Sequence, residues 1–453
     1  MLFIGREKEL KLLQERMNSE KFEFGIVYGR RRVGKTRLIN EAIKGDRGIY
    51  FVASEMHLEH NIAALSERVA EYFNEPTKFS SIEDIFKYLV HKSKDKRVTL
   101  IIDEFTYLLE GDPGVQSVLQ NIIDSMLNEN FCLILSGSHV GMIEDVLSYK
   151  KPLYGRATFK LELKPFDYYD SSLFYPNYSN EDKVIAYSVF GGIPHYLSLV
   201  DESKTIRENI IDLVVKPSGV LRDEVDFIIR QELRSVLSYK MILDVVAGGT
   251  TRLNEISIKS RVNNTGNTST YLTTLINLDL VKRVTPFNSP DNSRRSIYKI
   301  KDNFVNFTYK FLYKNKSALS VLPAEVFYET LIEPELNRHV SFVFEEVCKE
   351  YLIRNNNGEN QELFFNIGTY WGNNPALKRE VELDILTSNE SGITVYECKW
   401  ANSEFGDREL TTLKNDSSHL NPVKYGAFSY SGFDNNLETS LDYSFVLKDL
   451  FKN

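Results

Sequence analysis

Three stretches carry residue types and spacings that chemistry could use. The first is Gly29-Arg30-Arg31-Arg32-Val33-Gly34-Lys35-Thr36, which fills every position of Gly-x-x-x-x-Gly-Lys-Thr. The apolar run Phe24-Gly25-Ile26-Val27-Tyr28 leads into it, and the helical pattern Arg37-Leu38-Ile39-Asn40-Glu41-Ala42 follows at once. That order of strand, loop and helix is what a P-loop requires. Gly29 and Gly34 allow backbone angles that turn successive N–H groups towards a phosphate, and the helix N-terminus adds its partial positive charge. Arg32, Val33 and Arg37 fall in or beside the cradle. Lys35 is expected to reach the β- and γ-phosphates and Thr36 to sit on Mg²⁺, so the expected cofactors are ATP and Mg²⁺. The second stretch is Val98-Thr99-Leu100-Ile101-Ile102-Asp103-Glu104, an apolar strand that ends in two acids 68 residues beyond the lysine (103 minus 35). Asp103 would hold Mg²⁺ and Glu104 would polarise the attacking water. The third joins Arg379-Glu380-Val381-Glu382-Leu383-Asp384 to Ile393-Thr394-Val395-Tyr396-Glu397-Cys398-Lys399. Alternation puts Asp384 on a face with Glu380 and Glu382, and Glu397 on a face with Lys399, while Cys398 points inward. Asp384 and Glu397 would supply hard oxygen ligands for Mg²⁺, and Lys399 would orient or deprotonate a water.

These residues need elements to position them. A chain of 453 residues is too long for one ordinary core and suggests about three domains. Its 42% hydrophobic and 26% charged residues are those of a soluble globular protein, and its net charge of −8 argues against indiscriminate coating of nucleic acid. The opening Met1-Leu2-Phe3-Ile4-Gly5-Arg6-Glu7 turns polar too early for a signal peptide, and no apolar run approaches a membrane span. Cys132, Cys348 and Cys398, far apart in sequence, read as buried thiols of a cytoplasmic protein. Gly48–Ala53 reads as a short strand, Leu58–Val90 as a long helical stretch, and Phe131–Leu135 as a strand. Ser136 or Ser138, at the end of that strand, would face the ligand crevice, with turn chemistry the competing reading. Arg156, in Pro152-Leu153-Tyr154-Gly155-Arg156, could stabilise charge on a γ-phosphate.

Phe3-Ile4-Gly5-Arg6-Glu7, Gly-Arg-Arg-Arg-Val-Gly-Lys-Thr, Ile101-Ile102-Asp103-Glu104-Phe105, Leu135-Ser136-Gly137-Ser138, Pro152–Arg156 and Gly191-Gly192-Ile193-Pro194 together resemble the archaeal-type ATPase family, a P-loop branch near the AAA+ and STAND NTPases. The resemblance covers roughly residues 3–315. It implies an adenine lip at Ile4, Gly5 and Arg6, and phosphate contacts at Gly34, Lys35 and Thr36. It further implies Mg²⁺ and water positioning at Asp103 and Glu104, a charge-sensing Arg156, and a helical lid with Pro194 near the adenine.

From Glu232 the pattern becomes three helices and a hairpin. Leu233, Val236, Leu237, Met241, Ile242, Val245 and Val246 form one apolar stripe, and Leu253–Ile256 begins a second helix. Asn267–Leu275 forms a third, and strands at Leu280–Val284 and Ser296–Ile300 flank a turn at Pro290-Asp291-Asn292. This reads as a winged helix, with Asn, Thr, Ser and Tyr on the third helix and Arg294, Arg295 and Lys299 on the wing as candidate DNA contacts. Leu322-Pro323 and Glu333-Pro334 bracket a linker, after which a helix begins at Val340. Asp384, Glu397 and Lys399 resemble the PD-(D/E)xK nuclease fold, which implies a further acid on that helix, Glu345 first and Glu346 second. Here Leu383 stands where the motif has proline.

The expected architecture is an α/β multidomain chain: a P-loop parallel-sheet ATPase core (1–160), a helical lid (161–225), a winged helix (226–318) and an α/β PD-(D/E)xK nuclease-like domain (319–453). The expected partners are ATP or ADP and DNA, with no membrane and with oligomerisation left open. Either nucleotide state governs DNA binding or metal-dependent cleavage, or the chain is a non-nucleolytic, STAND-like switch.

Overall fold

The computed structural model describes residues 3–45, 48–127, 129–233, 235–262, 265–290, 293–359, 362–434 and 437–452. The chain divides into two compact units, Met1–Pro165 and Phe166–Asn453.

In the first unit, β1 (Glu23–Tyr28), β2 (Ile49–Val52), β3 (Val98–Asp103), β4 (Phe131–Gly137) and β5 (Phe159–Glu162) form a sheet in the order β2-β3-β4-β1-β5. Every pairing is parallel. The central strands are covered on both faces, so they read as continuous apolar runs, and all of β3 and β4 is buried. Their C-terminal ends share one edge, and the P-loop leaves β1 there. The stretch expected as one long helix is two, Leu58–Phe73 and Ile82–Ser93. Asn74 turns left-handed at φ 51°, and Pro76 disfavours helix at the residue before it. The Ser81 hydroxyl then caps the second helix by accepting from Asp84 N at 3.1 Å. Strand β5, absent from the sequence reading, continues the sheet past β1.

In the second unit, helices Val236–Ala247, Leu253–Lys259 and Thr265–Asn277 precede an antiparallel pair, β6 (Val281–Val284) and β7 (Ile297–Ile300). The expected stripe is interrupted. Leu233 is extended and ends the preceding helix, Leu237 is 72% exposed, and the buried positions are Tyr239, Ile242, Leu243 and Val246. Of the expected hairpin turn, Asp291 and Asn292 lie outside the described residues, as do Met1 and Leu2 of the opening. A 22-residue helix, Glu333–Arg354, follows. It starts a full seven residues before Val340, because Pro334 sits in its first turn, where a missing N–H costs no bond.

This helix packs on a mixed sheet, β12-β11-β10-β9-β8, built from β8 (Asn366–Asn374), β9 (Arg379–Asn389), β10 (Gly392–Lys399), β11 (Lys424–Ser429) and β12 (Tyr443–Val446). β8, β9 and β10 run antiparallel, while β10, β11 and β12 run parallel. The helix Asp407–Ser417 covers the other face. Cys348 on the long helix and Cys398 on β10 are neighbours whose thiols share a hydrogen bond, despite their separation in sequence. At the root of the unit, buried Glu350 accepts from Tyr168 N at 2.9 Å and from Tyr187 Oη at 3.0 Å. Burial pushes its carboxyl up to about 8, against the pull of those two donors.

Candidate functional site

The N-terminal site is built by the ends of β1, β3 and β4. Gly29, Arg32 and Gly34 have φ values of 151°, 67° and 94°, the alternation that makes a backbone concavity for an anion. Gly29 has a second reason to lack a side chain, since a Cβ there would lie 2.2 Å from the Leu163 carbonyl oxygen. Lys35 is buried, and its Nζ donates to Gly29 O at 2.8 Å and Arg30 O at 3.0 Å, so the ammonium is held against the rim of the cradle. Thr36 Oγ1 donates to Asp103 Oδ2 at 3.1 Å, which brings together the two groups expected to hold Mg²⁺. The donor set is hydroxyl and carboxylate oxygen, the chemistry Mg²⁺ prefers. Val33 is fully buried behind the loop, and Arg37 lies exposed on the helix that follows.

Tyr50 was not found from sequence, and Ser138 was one of two serines placed at the crevice but not against an acid. Tyr50 Oη on β2 donates to Asp103 Oδ2 at 2.7 Å, and burial together with that bond raises its phenol. Ser138 Oγ donates to Glu104 Oε1 at 2.6 Å, and Ser138 N to Oε2 at 3.3 Å. Ser138 thus meets the acid, while Ser136 is buried and its carbonyl accepts from Phe105 N. Glu104 itself is left-handed at φ 50°, a strained state for a side-chain-bearing residue that aims the carboxylate across the strand ends. Neither contact has a contiguous motif, since each depends on which strands are neighbours.

Ile4, Gly5 and Arg6 lie beside the loop. Gly5 is left-handed at φ 65°, and the Arg6 guanidinium donates to Lys164 O and Val33 O while pairing with Glu9 at 2.9 Å. Arg156 is not brought to this site. It precedes β5, which runs parallel to β1, so it stands at the opposite edge of the sheet from the P-loop. There it makes a two-pronged pair with Asp124, at 2.7 and 2.8 Å. A loop arginine's place follows strand direction, which the local sequence did not reveal. In the second unit, Pro194 opens the helix Pro194–Leu197 after left-handed Gly191 and after Gly192, where a Cβ would meet the Phe166 carbonyl oxygen at 1.9 Å.

The C-terminal residues meet where β9 and β10 separate. The ladder ends at Tyr396 opposite Ile385, one residue short of Glu397 and Asp384. On the other side of β9, Gly368 pairs with Leu386 but Tyr370 with Leu383, so Thr369 faces both Asp384 and Ile385. That β-bulge lets Leu383 and Leu386 share one core while Ile385 joins the core under the long helix. Asp384 accepts from Cys398 N at 2.9 Å, across the opening between the strands. Glu345, Asp384 and Glu397 act on one another's charge, and burial first, then this mutual repulsion, raises Glu345 and Glu397. Burial raises Asp384 as well, against the pull of its backbone bond. All three residues are partly buried. They do not close into a cage: among the described residues no group of three or more His, Cys, Asp or Glu has the geometry to hold a metal ion.

The expected lysine behaves differently. Lys399 Nζ pairs with Glu409 at 2.5 Å and donates to Glu404 O at 2.7 Å, on the side of the Asp407–Ser417 helix. The lysine whose charge acts on both Glu345 and Asp384 is Lys299 of β7, which sequence placed on a DNA-facing wing. Arg295, placed there too, instead donates to the Trp371 carbonyl on β8. On the helix Thr265–Asn277, Thr270, Thr273 and Thr274 turn their hydroxyls back to carbonyls of their own helix.

The fold and the first site define a P-loop ATPase. Residues 3–200 match an ATPase domain found predominantly in Archaea, and residues 308–411 match a family of archaeal and bacterial proteins of unknown function. The uncharacterized protein MJECL04 of Methanocaldococcus jannaschii is 35% identical over 422 residues, 92% of this chain and 91% of its own, and the chain belongs to the same archaeal-type ATPase family. An uncharacterized ATP-binding protein of that organism, MJ0423, is 40% identical over 47 residues, 10% of this chain and 80% of its own. Among solved structures, the Walker-type ATPase PABY2304 of Pyrococcus abyssi superposes with a TM-score of 0.52 at 21% identity, covering 68% of this chain and 96% of its own. Among the described residues no helix is long and apolar enough to cross a membrane.

Proposed function

We propose that the chain is a Mg²⁺-dependent ATP hydrolase whose nucleotide state governs binding and metal-dependent cleavage of DNA by its C-terminal domain. The ATPase half rests on the P-loop together with Thr36, Asp103 and Glu104. The backbone of residues 29–34 and Lys35 bind and orient the phosphates. Thr36 and Asp103 would hold Mg²⁺, which would supply Lewis acidity at the transferring phosphoryl group. Glu104 takes the proton of the attacking water, and its bond to Ser138 fixes the carboxylate until then. Arg156, at the far edge of its own sheet, would serve only the nucleotide of a neighbouring copy.

The DNA half is carried by one observation: Asp384 of β9, Glu397 of β10 and Glu345 of the facing helix come close enough at the fork of the two strands to act on one another's charge. Their oxygens are of the hard type a divalent ion takes, in an α/β domain of PD-(D/E)xK type, and the three helices with the β6–β7 hairpin form a winged helix. A second reading, an ATP-driven switch that binds DNA or a partner without cutting, draws support from the capture of Lys399 by Glu409. The deciding experiment is cleavage of plasmid and branched DNA with Mg²⁺ or Mn²⁺, with and without ATP, by wild type and Lys399→Ala. ATP-sensitive cleavage that the substitution abolishes supports the nuclease. Intact ATP hydrolysis with uncut DNA would establish the switch.

A further inference from the structure

Strand β8 lies at an edge of the mixed sheet and has a strand neighbour on one side only, which leaves outward backbone groups to be satisfied by other means. The β6–β7 hairpin meets two of them. Phe287 N, in the hairpin loop, donates to Thr369 O at 2.9 Å, and the Arg295 guanidinium donates to Trp371 O. Carbonyls two residues apart on a strand point the same way, so both bonds fall on the outer edge. Gly368 and Gly372 bracket this contact and leave it room. A Cβ on Gly368 would press on the Phe287 ring at 3.3 Å, and one on Gly372 would lie 2.5 Å from Arg295 Nη2. The loop is also braced from its own side. Arg283 donates to Ser296 Oγ at 3.0 Å, and a turn closes from Ser289 N to Pro286 O at 2.9 Å.

The contact falls on the pivot of the β9 bulge. Thr369 is the β8 residue that stands opposite both Asp384 and Ile385, and its carbonyl is the one that Phe287 N grips. The Phe287 ring is buried in the core that also holds Leu383 and Leu386, the residues on either side of the surplus. One residue therefore acts on both strands where their pairing slips, through its N–H on β8 and through its ring on β9. A bulge disrupts the ladder locally, so contacts from outside the ladder decide how firmly it keeps one setting. Asp384, inside the bulge, accepts in turn from Cys398 N of β10.

We infer that Phe287 and Arg295 are positioning residues for the C-terminal site: the hairpin clasps β8 and fixes the bulge that aims Asp384 into the fork. This rests on the reading of Asp384 as a residue of that site. The clasp touches no reacting group and works through Thr369 and the shared core. Arg295, expected on a DNA-facing wing, is committed within the chain instead.

The test reads the bond that the clasp holds. The chain has three cysteines, Cys132, Cys348 and Cys398, so full-length protein labelled with ¹⁵N-cysteine shows three cysteine amides. Cys398 N reports its bond to Asp384, while Cys348 on the long helix and Cys132 on β4 report unfolding of the two units. In Phe287→Ala, hydrogen exchange at Cys398 should quicken about tenfold or more with the other two amides unmoved, as loosening of a bond to a charged acceptor implies. Arg295→Ala, at an exposed position, should quicken it several-fold. Phe287→Leu keeps an apolar side chain in place and should return the rate towards wild type. Leu413→Ala, which opens the same core from the helix Asp407–Ser417, should leave Cys398 alone. An unchanged Cys398 rate in either alanine variant of the hairpin would overturn the clasp. An equal rise in Leu413→Ala would overturn it too, because packing alone would then account for the effect. Where wild type cuts DNA, Phe287→Ala should lower the maximal rate about tenfold or more and leave the KM for DNA in place. Faster cutting would refute the proposal, since the hairpin would then restrain the site. Wild type that cuts no DNA would sink the DNA reading, and the Cys398 amide would still decide the clasp.

Discussion

The two acidic sites differ in how their carboxylates are supported. At the P-loop, Asp103 accepts from Thr36 and Tyr50, and Glu104 accepts from Ser138, so each acid has a hydroxyl donor before any ligand arrives. At the fork of β9 and β10, Asp384 has one backbone donor, and Glu345 and Glu397 feel its charge. The first site is organised by its own hydrogen bonds and awaits a substrate. At the second, burial and the acids' effect on one another's charge hold the carboxyls above their ordinary range.

The sharpest way to break this contrast is Glu104→Gln. ATP hydrolysis should fall about 100-fold or more while nucleotide binding persists, because only proton removal is lost. Near-normal turnover in a single-turnover assay would show that another group activates the water. Next in size is Asp384→Asn in the absence of ATP. The amide oxygen can still accept from Cys398 N, but one repelling charge is gone, so the metal-free protein should melt roughly 2–4 °C higher. Mn²⁺ should raise the melting temperature of wild type and leave the variant unmoved. An equal Mn²⁺ response in both would place the ion elsewhere.

Glu350 supplies a control outside both sites. Its folded carboxyl titrates near 8, well above an unfolded glutamate, so the folded state holds a proton that the unfolded state releases. Its contribution to stability is full below the unfolded value and is lost as pH rises towards 8, at about 1 kcal/mol per pH unit. Glu350→Gln should flatten that part of the stability profile in denaturant titrations, and an unchanged profile would refute the assignment. The smallest effect belongs to Ser138→Ala, which removes one hydrogen bond to Glu104 and should change hydrolysis several-fold. A hundredfold loss would give Ser138 a direct role on the nucleotide.

The P-loop and the acids after β3 were legible because each motif is contiguous and its strand is buried on both faces. What pairs with them was not. Tyr50 reaches the site through strand neighbourhood, Ser138 was placed at the crevice but not against Glu104, and the edge that Arg156 occupies follows from the direction of β5, with its action within its own chain or on a neighbour left open by the sequence. In the C-terminal domain Asp384 and Glu397 were legible as types at a spacing, while β8, rich in Gly and Asn, and the four-residue β12 carry too weak a pattern to be read as strands. That Lys299 acts on Glu345 and Asp384 while Lys399 pairs with Glu409 was not legible for the same reason. Which lysine approaches an acid is settled by packing between elements distant in sequence.

The bulge in β9 has one more consequence. Leu383 and Leu386 are three residues apart, a spacing that strict alternation would send to opposite faces, and the two-for-one pairing against Thr369 absorbs the surplus and keeps both in one core. Deleting Ile385 would restore one-to-one pairing with β8 and leave both leucines facing that core, while the core under the long helix would lose Ile385.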